Sequence, residues 1–160
     1  MYQHGIVNIN YKARVRNVDI LKKIPFRASK PVQFTYKTKT GYTVIIFPNG
    51  TARIMGCKEH PSDLKEFFPF DMVIERVQSA TIIIQIENAN INLVAMAQRI
   101  VSCGYKCQLE QELFPALRYT SWNPLCVNVF ASGKIVILGL KVLNYVNIIK
   151  RLMCELYQFL

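Results

Sequence analysis

The pattern of apolar and polar positions predicts a chain built mainly of β-strands, with a few helices. Short apolar runs, bounded by turn residues, predict strands over 5–15, 32–38, 42–47, 52–56, 81–87, 116–121, 125–130 and 134–139. Apolar residues at helical spacing, together with capping residues, predict helices near Asp19, after Pro61, over 92–101 and over 142–160. The two halves of the chain therefore repeat much the same order of elements.

A twelve-residue phrase occurs twice in the sequence. Residues 47–58 read FPNGTARIMGCK and residues 130–141 read FASGKIVILGLK, with Phe, two Gly and Lys at matching positions. We expect Gly50 and Gly133 to close turns between strands, because a positive φ costs little only for glycine. The repeat predicts two pseudo-symmetric units, residues 1–76 and residues 77–160.

Several predicted strands are apolar on both sides. In the strand over 42–47, Val44 and Ile46 form one side while Ile45 and Phe47 form the other. An antiparallel sheet with one wet face instead alternates apolar and polar residues. The predicted helices are few and their linkers short, so all of them would lie on one side of the sheet. The other apolar face is then either buried in an oligomer or used as a working surface.

The charge of the chain predicts a polyanionic partner. Its 160 residues include 20 Lys and Arg against 10 Asp and Glu, a net charge of +10. Ten of the basic residues lie between Lys12 and Arg53, where the only acid is Asp19. Nucleic acid and an acidic protein surface both fit this distribution. A solvated basic face without a specific partner is the plainer alternative.

Other classes of protein fit the sequence poorly. The composition, 51% hydrophobic and 19% charged, is globular, and no apolar run reaches the ~18–20 residues that span a bilayer. The start of the chain lacks a signal-peptide core, so we expect an intracellular, soluble protein. Cys103 and Cys107 have no second pair, and His4 and His60 lie far away, so buried free thiols are favoured over a zinc site. No nucleophile is paired with a base, so we expect no enzyme and no cofactor.

Three segments of the second half resemble the second repeat of the TATA-binding protein core. They are LFPALRY at 113–119, VFASGKIV at 129–136 and GLK at 139–141, and residues 44–58 carry a weaker echo. The resemblance implies an α+β fold, a saddle of two pseudo-symmetric repeats with a curved antiparallel sheet and helices on its convex face. It also implies that the uncovered apolar face contacts DNA.

The resemblance further implies apolar wedges that enter the minor groove between base steps. Phe114 and Phe130 match the wedge pair of the second repeat, and Phe47 matches one wedge of the first. The remaining wedge position falls on Pro31, which is smaller and stiffer than Phe. The alternative is that these phenylalanines are ordinary core residues.

The resemblance also implies which residues contact the groove and which lysines contact phosphates, by matching positions in the family. Lys58, Lys134 and Lys141 match phosphate-contacting lysines, although lysines solvated near turns are the plainer alternative, and Thr51 replaces a fourth. On the groove face, the matching residues are Ile9, Ile45, Arg53, Met55, Ile82, Asn128, Val136 and Leu138.

Some of these positions depart from the family. Arg53 and Asn128 stand where the family is apolar, and Met55 and Leu138 stand where it has threonine. Arg53 could enter the narrow minor groove of A·T-rich DNA, which favours cations. It could equally prevent the contacts that the family makes with a TATA sequence. Whether TATA readout is retained therefore stays open at this point.

The function implied is that of a general transcription initiation factor. Such a protein binds and bends double-stranded A/T-rich promoter DNA in the minor groove and recruits a transcription factor IIB-like protein and RNA polymerase. The IIB-like protein would dock around Glu110 and Glu112. The site of action would be the nucleus, or a viral transcription site if this is a minimal viral version. The alternative is a protein-interaction module that has lost TATA readout, whose face binds another protein or closes a homodimer.

Overall fold

The computed structural model describes residues 1–17, 19, 33–58 and 71–160. The chain forms two compact units: a first unit, Val7–Ser79, and a second unit, Met1–Ile6 with Ala80–Leu160. Two long strands, β1 and β5, contribute residues to both units. The division into sequence repeats at 76/77 stays a prediction.

The described residues contain nine strands and two α-helices. The strands are β1 (Tyr2–Val15), β2 (Phe34–Lys37), β3 (Thr43–Ile46), β4 (Thr51–Cys57), β5 (Met72–Ile86), β6 (Cys107–Gln108), β7 (Ala116–Tyr119), β8 (Cys126–Phe130) and β9 (Lys134–Leu140). The helices are α1 (Leu93–Ser102) and α2 (Val146–Leu156).

Most predicted elements are found within a few residues of their expected bounds. β5 begins at Met72 rather than at the predicted Thr81. Polar residues at 75, 76 and 78 interrupt the apolar pattern, so the prediction placed the start of the strand too late. α2 is shorter than the predicted 142–160, since turns at Tyr145 and Phe159 enclose it. The helices predicted between Asp19 and Pro25 and after Pro61 lie outside the described residues.

In the first unit, the strand order is β2-β3-β4-β1-β5. The β2–β3, β3–β4 and β1–β4 pairings are antiparallel. Side chains at alternate positions are fully buried and form the core side of this sheet: Tyr11, Ala13, Val44, Ile46, Ala52 and Ile54. Their neighbours along each strand point to the opposite side, because successive strand residues face opposite ways.

In the second unit, the strand order is β5-β9-β8-β7-β6, and the helices cover one side. The Oδ1 atom of Asn92 accepts a hydrogen bond from the Ala95 N–H, which caps α1. α1 then buries Leu93, Met96 and Ile100, while α2 buries Ile149, Leu152, Met153 and Leu156. These stripes complete a core with the isoleucines of β5 and β9.

A partly buried polar contact joins α2 to the sheet. Glu155 accepts hydrogen bonds from the Tyr119 hydroxyl and, at 3.0 Å, from the Trp122 Nε1–H. Burial, and then the hydrogen bond to Glu155, raises the pKa of Tyr119 above its ordinary value. The contact fixes where α2 lies along β7.

The backbone conformation explains both glycine positions of the repeated phrase. Gly50 and Gly133 have φ of 81° and 78°, and each N–H donates to the carbonyl three residues earlier, closing the predicted turns. Gly56 and Gly139 have φ of 83° and 89° where the strand register shifts, opposite Ile9/Tyr11 and Ala80/Ile82 respectively. Each unit thus carries a β-bulge at the same place in the phrase.

The prediction of buried thiols is right only for Cys57. Cys103, Cys126 and Cys154 are exposed and Cys107 is half-buried. Cys126 and Cys154 fall on the exposed sides of β8 and α2, and Cys103 follows α1, so the apolar segments around them do not bury them. Within the described ranges, no cluster of three or more His, Cys, Asp or Glu is suited to a metal ion, and no helix there has the length and apolar composition to cross a bilayer.

We predict that Gly133→Ala destabilises the second unit strongly. A Cβ at this position would lie 2.5 Å from the Ala89 Cβ and 2.9 Å from the Ile86 carbonyl oxygen, at a positive φ. We expect a loss of at least about 2 kcal/mol in the free energy of unfolding, measured by urea denaturation. Gly5→Ala is the control, since a Cβ there has no heavy atom within 4 Å. Equal stability of the two variants would contradict this account.

We also predict that Tyr11 makes the protein sensitive to alkali. Burial, with a smaller contribution from the Cys57 charge, raises the pKa of Tyr11 from 10.0 to about 12. Between these values the unfolded chain loses the proton first, so the free energy of unfolding falls as pH rises. Urea denaturation across this range should give a shallower fall for Tyr11→Phe than for the wild type. An unchanged slope would show that other groups control alkaline unfolding.

Candidate nucleic-acid interface

The side of each sheet opposite its core side is called the open face. In the second unit, strand register places Arg118, Asn128, Val136 and Ile83 in one row across β7, β8, β9 and β5. Cys126 and Leu138 pair in the next row of this face, and Leu138 is 37% exposed. The open face of the second unit is therefore apolar at Ile83, Val136 and Leu138 and polar at Arg118 and Asn128.

Phe114 and Phe130 lie together at one end of this open face. β7 and β8 are antiparallel, so the residue before β7 and the last residue of β8 meet at the same end, where Ala116 pairs with Phe130. The two ring centroids are 6.1 Å apart with the planes at 62°, an edge-to-face contact. The Arg118 guanidinium carbon lies 4.7 Å from the centre of the Phe114 ring. Both rings are half-buried, so neither is an ordinary core residue.

Asn128 lies on the open face but is nearly covered. Only 7% of its surface is exposed, and its Oδ1 is 3.7 Å from the Cys126 thiol, which donates to it. Its strand neighbours in register are Arg118 and Val136. Little of Asn128 is therefore available to a ligand on this face.

In the first unit, the equivalent row is more polar. It runs from Thr35 through Ile45 and Arg53 to Lys12, and Met55 pairs with Thr43 beside it. Phe47 follows β3, and the Arg53 guanidinium carbon lies 5.9 Å from the centre of its ring. Pro31, the other predicted wedge of this repeat, lies outside the described residues.

The assignment of Ile9 and Ile82 to the groove face is wrong. Ile9 is 2% exposed and Ile82 0% exposed, because both side chains point to the core side. In the strand Ile82-Ile83-Ile84 both sides are apolar, so the sequence alone does not distinguish them. A one-residue slip moves every side chain to the other face. Ile83 is the open-face residue in β5, and its equivalent in β1 is Lys12.

Two asparagines of β1, Asn8 and Asn10, lie beside Ile9 and were not among the predicted groove-face residues. The Asn8 Oδ1 accepts a hydrogen bond of 3.0 Å from the Gly56 N–H at the bulge. The Asn10 Nδ2 donates to the Ser79 Oγ at 3.1 Å, while its buried Oδ1 has no hydrogen-bond partner in the described part of the chain. Their adjacency to Ile9 in the sequence was the available signal.

An ion-paired cluster also escaped the sequence analysis. The Glu75 Oε1 accepts from the Arg14 Nε at 2.9 Å, and its Oε2 lies 3.2 Å from the Lys12 Nζ. Hydrogen bonds from Arg14 and then Lys12 lower the pKa of the Glu75 carboxyl. The basic run was visible in the sequence, but its partner on β5 is 61 residues from Arg14.

The predicted phosphate contacts lie at strand ends. Lys58 follows β4 and Lys141 follows β9, and both are exposed. Lys134 begins β9, pairs in register with Gln85, and is half-buried. Their contact with phosphate stays a prediction. Thr51, at the position equivalent to Lys134, is hydrogen-bonded to Asn49.

Glu110 and Glu112 belong to an exposed turn of the second unit. The Glu110 carbonyl accepts from the N–H groups of Leu113 and Phe114, both at 2.9 Å. This turn and Val94 of α1 line a shallow groove of about 580 Å³. Leu113, which is 80% exposed, adds an apolar side chain to the acidic rim.

Comparison with known proteins identifies the family. The model of the family described as transcription factor TFIID, or TATA-binding protein (TBP), matches residues 75–159, more than half of the chain. The search of curated proteins gives no match. Among solved structures, Methanococcus jannaschii TBP matches with a TM-score of 0.76 and 18% identity, covering 98% of this chain and 99% of that one.

The chain therefore belongs to the TATA-binding protein family. The structural match also confirms the predicted TBP-like α+β fold. The family is one of DNA-binding transcription factors rather than enzymes. These findings concern the family and the fold, and the roles of individual residues are taken up below.

Proposed function

We propose that this protein is a transcription initiation factor that binds promoter DNA in the minor groove and bends it. The observation that carries the proposal is the Phe114–Phe130 pair, half-buried at the end of the open face. Paired apolar side chains that insert between base steps unstack them and kink the duplex. The proposed target is double-stranded, A/T-rich promoter DNA.

The neighbouring side chains suit such a complex. Ile83, Val136 and Leu138 offer apolar contact to the groove floor beside the wedges. In the proposed complex, Lys134 and Lys141 in the second unit and Lys58 in the first unit neutralise backbone phosphates. Phosphate contacts position a protein without reading sequence, so discrimination comes from the groove floor and from the cost of bending.

The acidic turn is the proposed docking site for the next factor. Glu110, Glu112 and the exposed Leu113 combine charge with an apolar anchor beside a groove. A transcription factor IIB-like protein with a basic and apolar segment fits this chemistry and would bring RNA polymerase to the promoter. The proposed place of action is the nucleus or a viral transcription site.

A second candidate function is a protein-interaction module. The observation in its favour is the polar row of the first unit, where Arg53 and Lys12 stand at positions that are apolar in the second unit. In that case the open face binds another protein or a second copy of the chain. The salt dependence of binding distinguishes the two candidate functions. If the protein binds DNA by neutralising phosphates, its affinity falls steeply as the salt concentration rises.

We predict that Phe114→Ala and Phe130→Ala each abolish most of the bending. Energy transfer between dyes at the two ends of a TATA duplex should fall toward the value of free DNA, because a wedge is missing. The dissociation constant should rise about tenfold or more, which corresponds to about 1.4 kcal/mol per factor of ten. Leu113→Ala is the control, since this neighbour is exposed and outside the wedge pair. Wild-type bending by both phenylalanine variants would disprove the wedge assignment.

We also predict that DNA protects Cys126 from alkylation. Cys126 is exposed on the open face, whereas Cys154 is exposed on α2. Bound duplex should slow iodoacetamide labelling of Cys126 several-fold and leave Cys154 unchanged, as read by peptide mass spectrometry. Protection of Cys154 alone would show that DNA binds the helix side and would contradict the proposed interface.

A further inference from the structure

Three positions on the open face of the first unit carry cations where the second unit has none. Where the second unit has Ile83, Gln85 and Val136, the matching register positions of the first unit hold Lys12, Arg14 and Arg53. Two apolar residues and one glutamine are thereby replaced by three cations. Because Lys12 and Arg53 are direct partners across β1 and β4, their charges are adjacent.

Glu75 offsets one of these charges and holds two of the cations. Each carboxylate oxygen contacts a different partner, Arg14 at 2.9 Å and Lys12 at 3.2 Å. The side chains of Lys12 and Glu75 are about one-third exposed, so the cluster is reachable from solvent. A glutamate carboxyl is ionised at neutral pH, and hydrogen bonds from Arg14 and then Lys12 lower its pKa further.

A carboxylate is an unusual group to present to DNA. The minor-groove edges of A·T pairs offer only acceptors, which suit Lys and Arg donors, and the two Glu75 oxygens are already engaged by Arg14 and Lys12. Guanine adds an amino group, a donor that occupies the groove floor and opposes the donors of Lys and Arg. Cations held in one geometry reach the acceptors of A·T pairs, whereas freely moving cations neutralise phosphates on any sequence.

We propose that Glu75 is a specificity-determining residue that lowers DNA affinity in exchange for discrimination. By fixing Lys12 and Arg14, it directs their donors to the groove floor of A·T pairs. Its negative charge also weakens phosphate-driven binding to other sequences, since specificity is a difference between affinities. The inference rests on the proposed DNA binding, and it deepens the role of the first unit in that binding.

The test is the variant Glu75→Gln on an A·T-rich duplex and a G·C-rich duplex, by fluorescence anisotropy across a salt series. We expect tighter binding to the G·C-rich duplex, by about three- to tenfold, with little gain on the A·T-rich one. The ratio of the two affinities therefore falls, and the salt slope steepens by about one counterion. Glu87→Gln is the matched control, because it removes one exposed acid at the end of the same strand.

Several outcomes overturn the proposal. If Glu75→Gln and Glu87→Gln shift both affinities equally, the effect is net charge alone. If Glu75→Gln weakens binding to both duplexes and lowers the melting temperature, the residue is structural. If the wild type binds and bends A·T-rich DNA but Lys12→Gln keeps full discrimination, the inference fails while the proposed function stands. If the wild type binds neither duplex, both fail.

Discussion

The register of the paired strands is the constraint on which the rest of this structure depends. Gly56 and Gly139 form bulges, and each adds a residue opposite β1 or β5. Because side chains alternate along a strand, these bulges decide which residues enter the core and which reach the open face. Val136 and Arg53 are open-face residues for this reason, while Ile82 and Tyr11 are buried.

On that common frame, the two units carry different chemistry. The second unit combines a half-buried aromatic pair with the apolar residues Ile83, Val136 and Leu138. The first unit presents Arg53, Lys12 and Arg14, with Glu75 between the last two. Repeats that share a backbone pattern thus differ at their working surfaces, as expected when function depends on sites carried by a fold.

Much of the fold was predictable because the two copies of the repeated phrase have glycine at the same positions. The turns at Gly50 and Gly133 follow from residue type, and Ile45, Arg53, Val136 and Leu138 were assigned by matching the flanking strands to the family. β1 and β5 carry no such marker, so Ile9 and Ile82 were assigned to the wrong face. The pairing of Glu75 with Arg14 joins residues 61 apart, and no local pattern records it. Pro31 lies outside the described residues, so its role as a wedge stays a prediction.

The most direct test of the central claim is to measure binding and bending by the wild-type protein together. Fluorescence anisotropy and end-to-end energy transfer would be recorded on a TATA duplex and a G·C-rich duplex over a range of salt concentrations. The account predicts salt-sensitive binding that bends the TATA duplex and a weaker interaction with the G·C-rich one. Equal affinity for both duplexes, with neither bent, would contradict it.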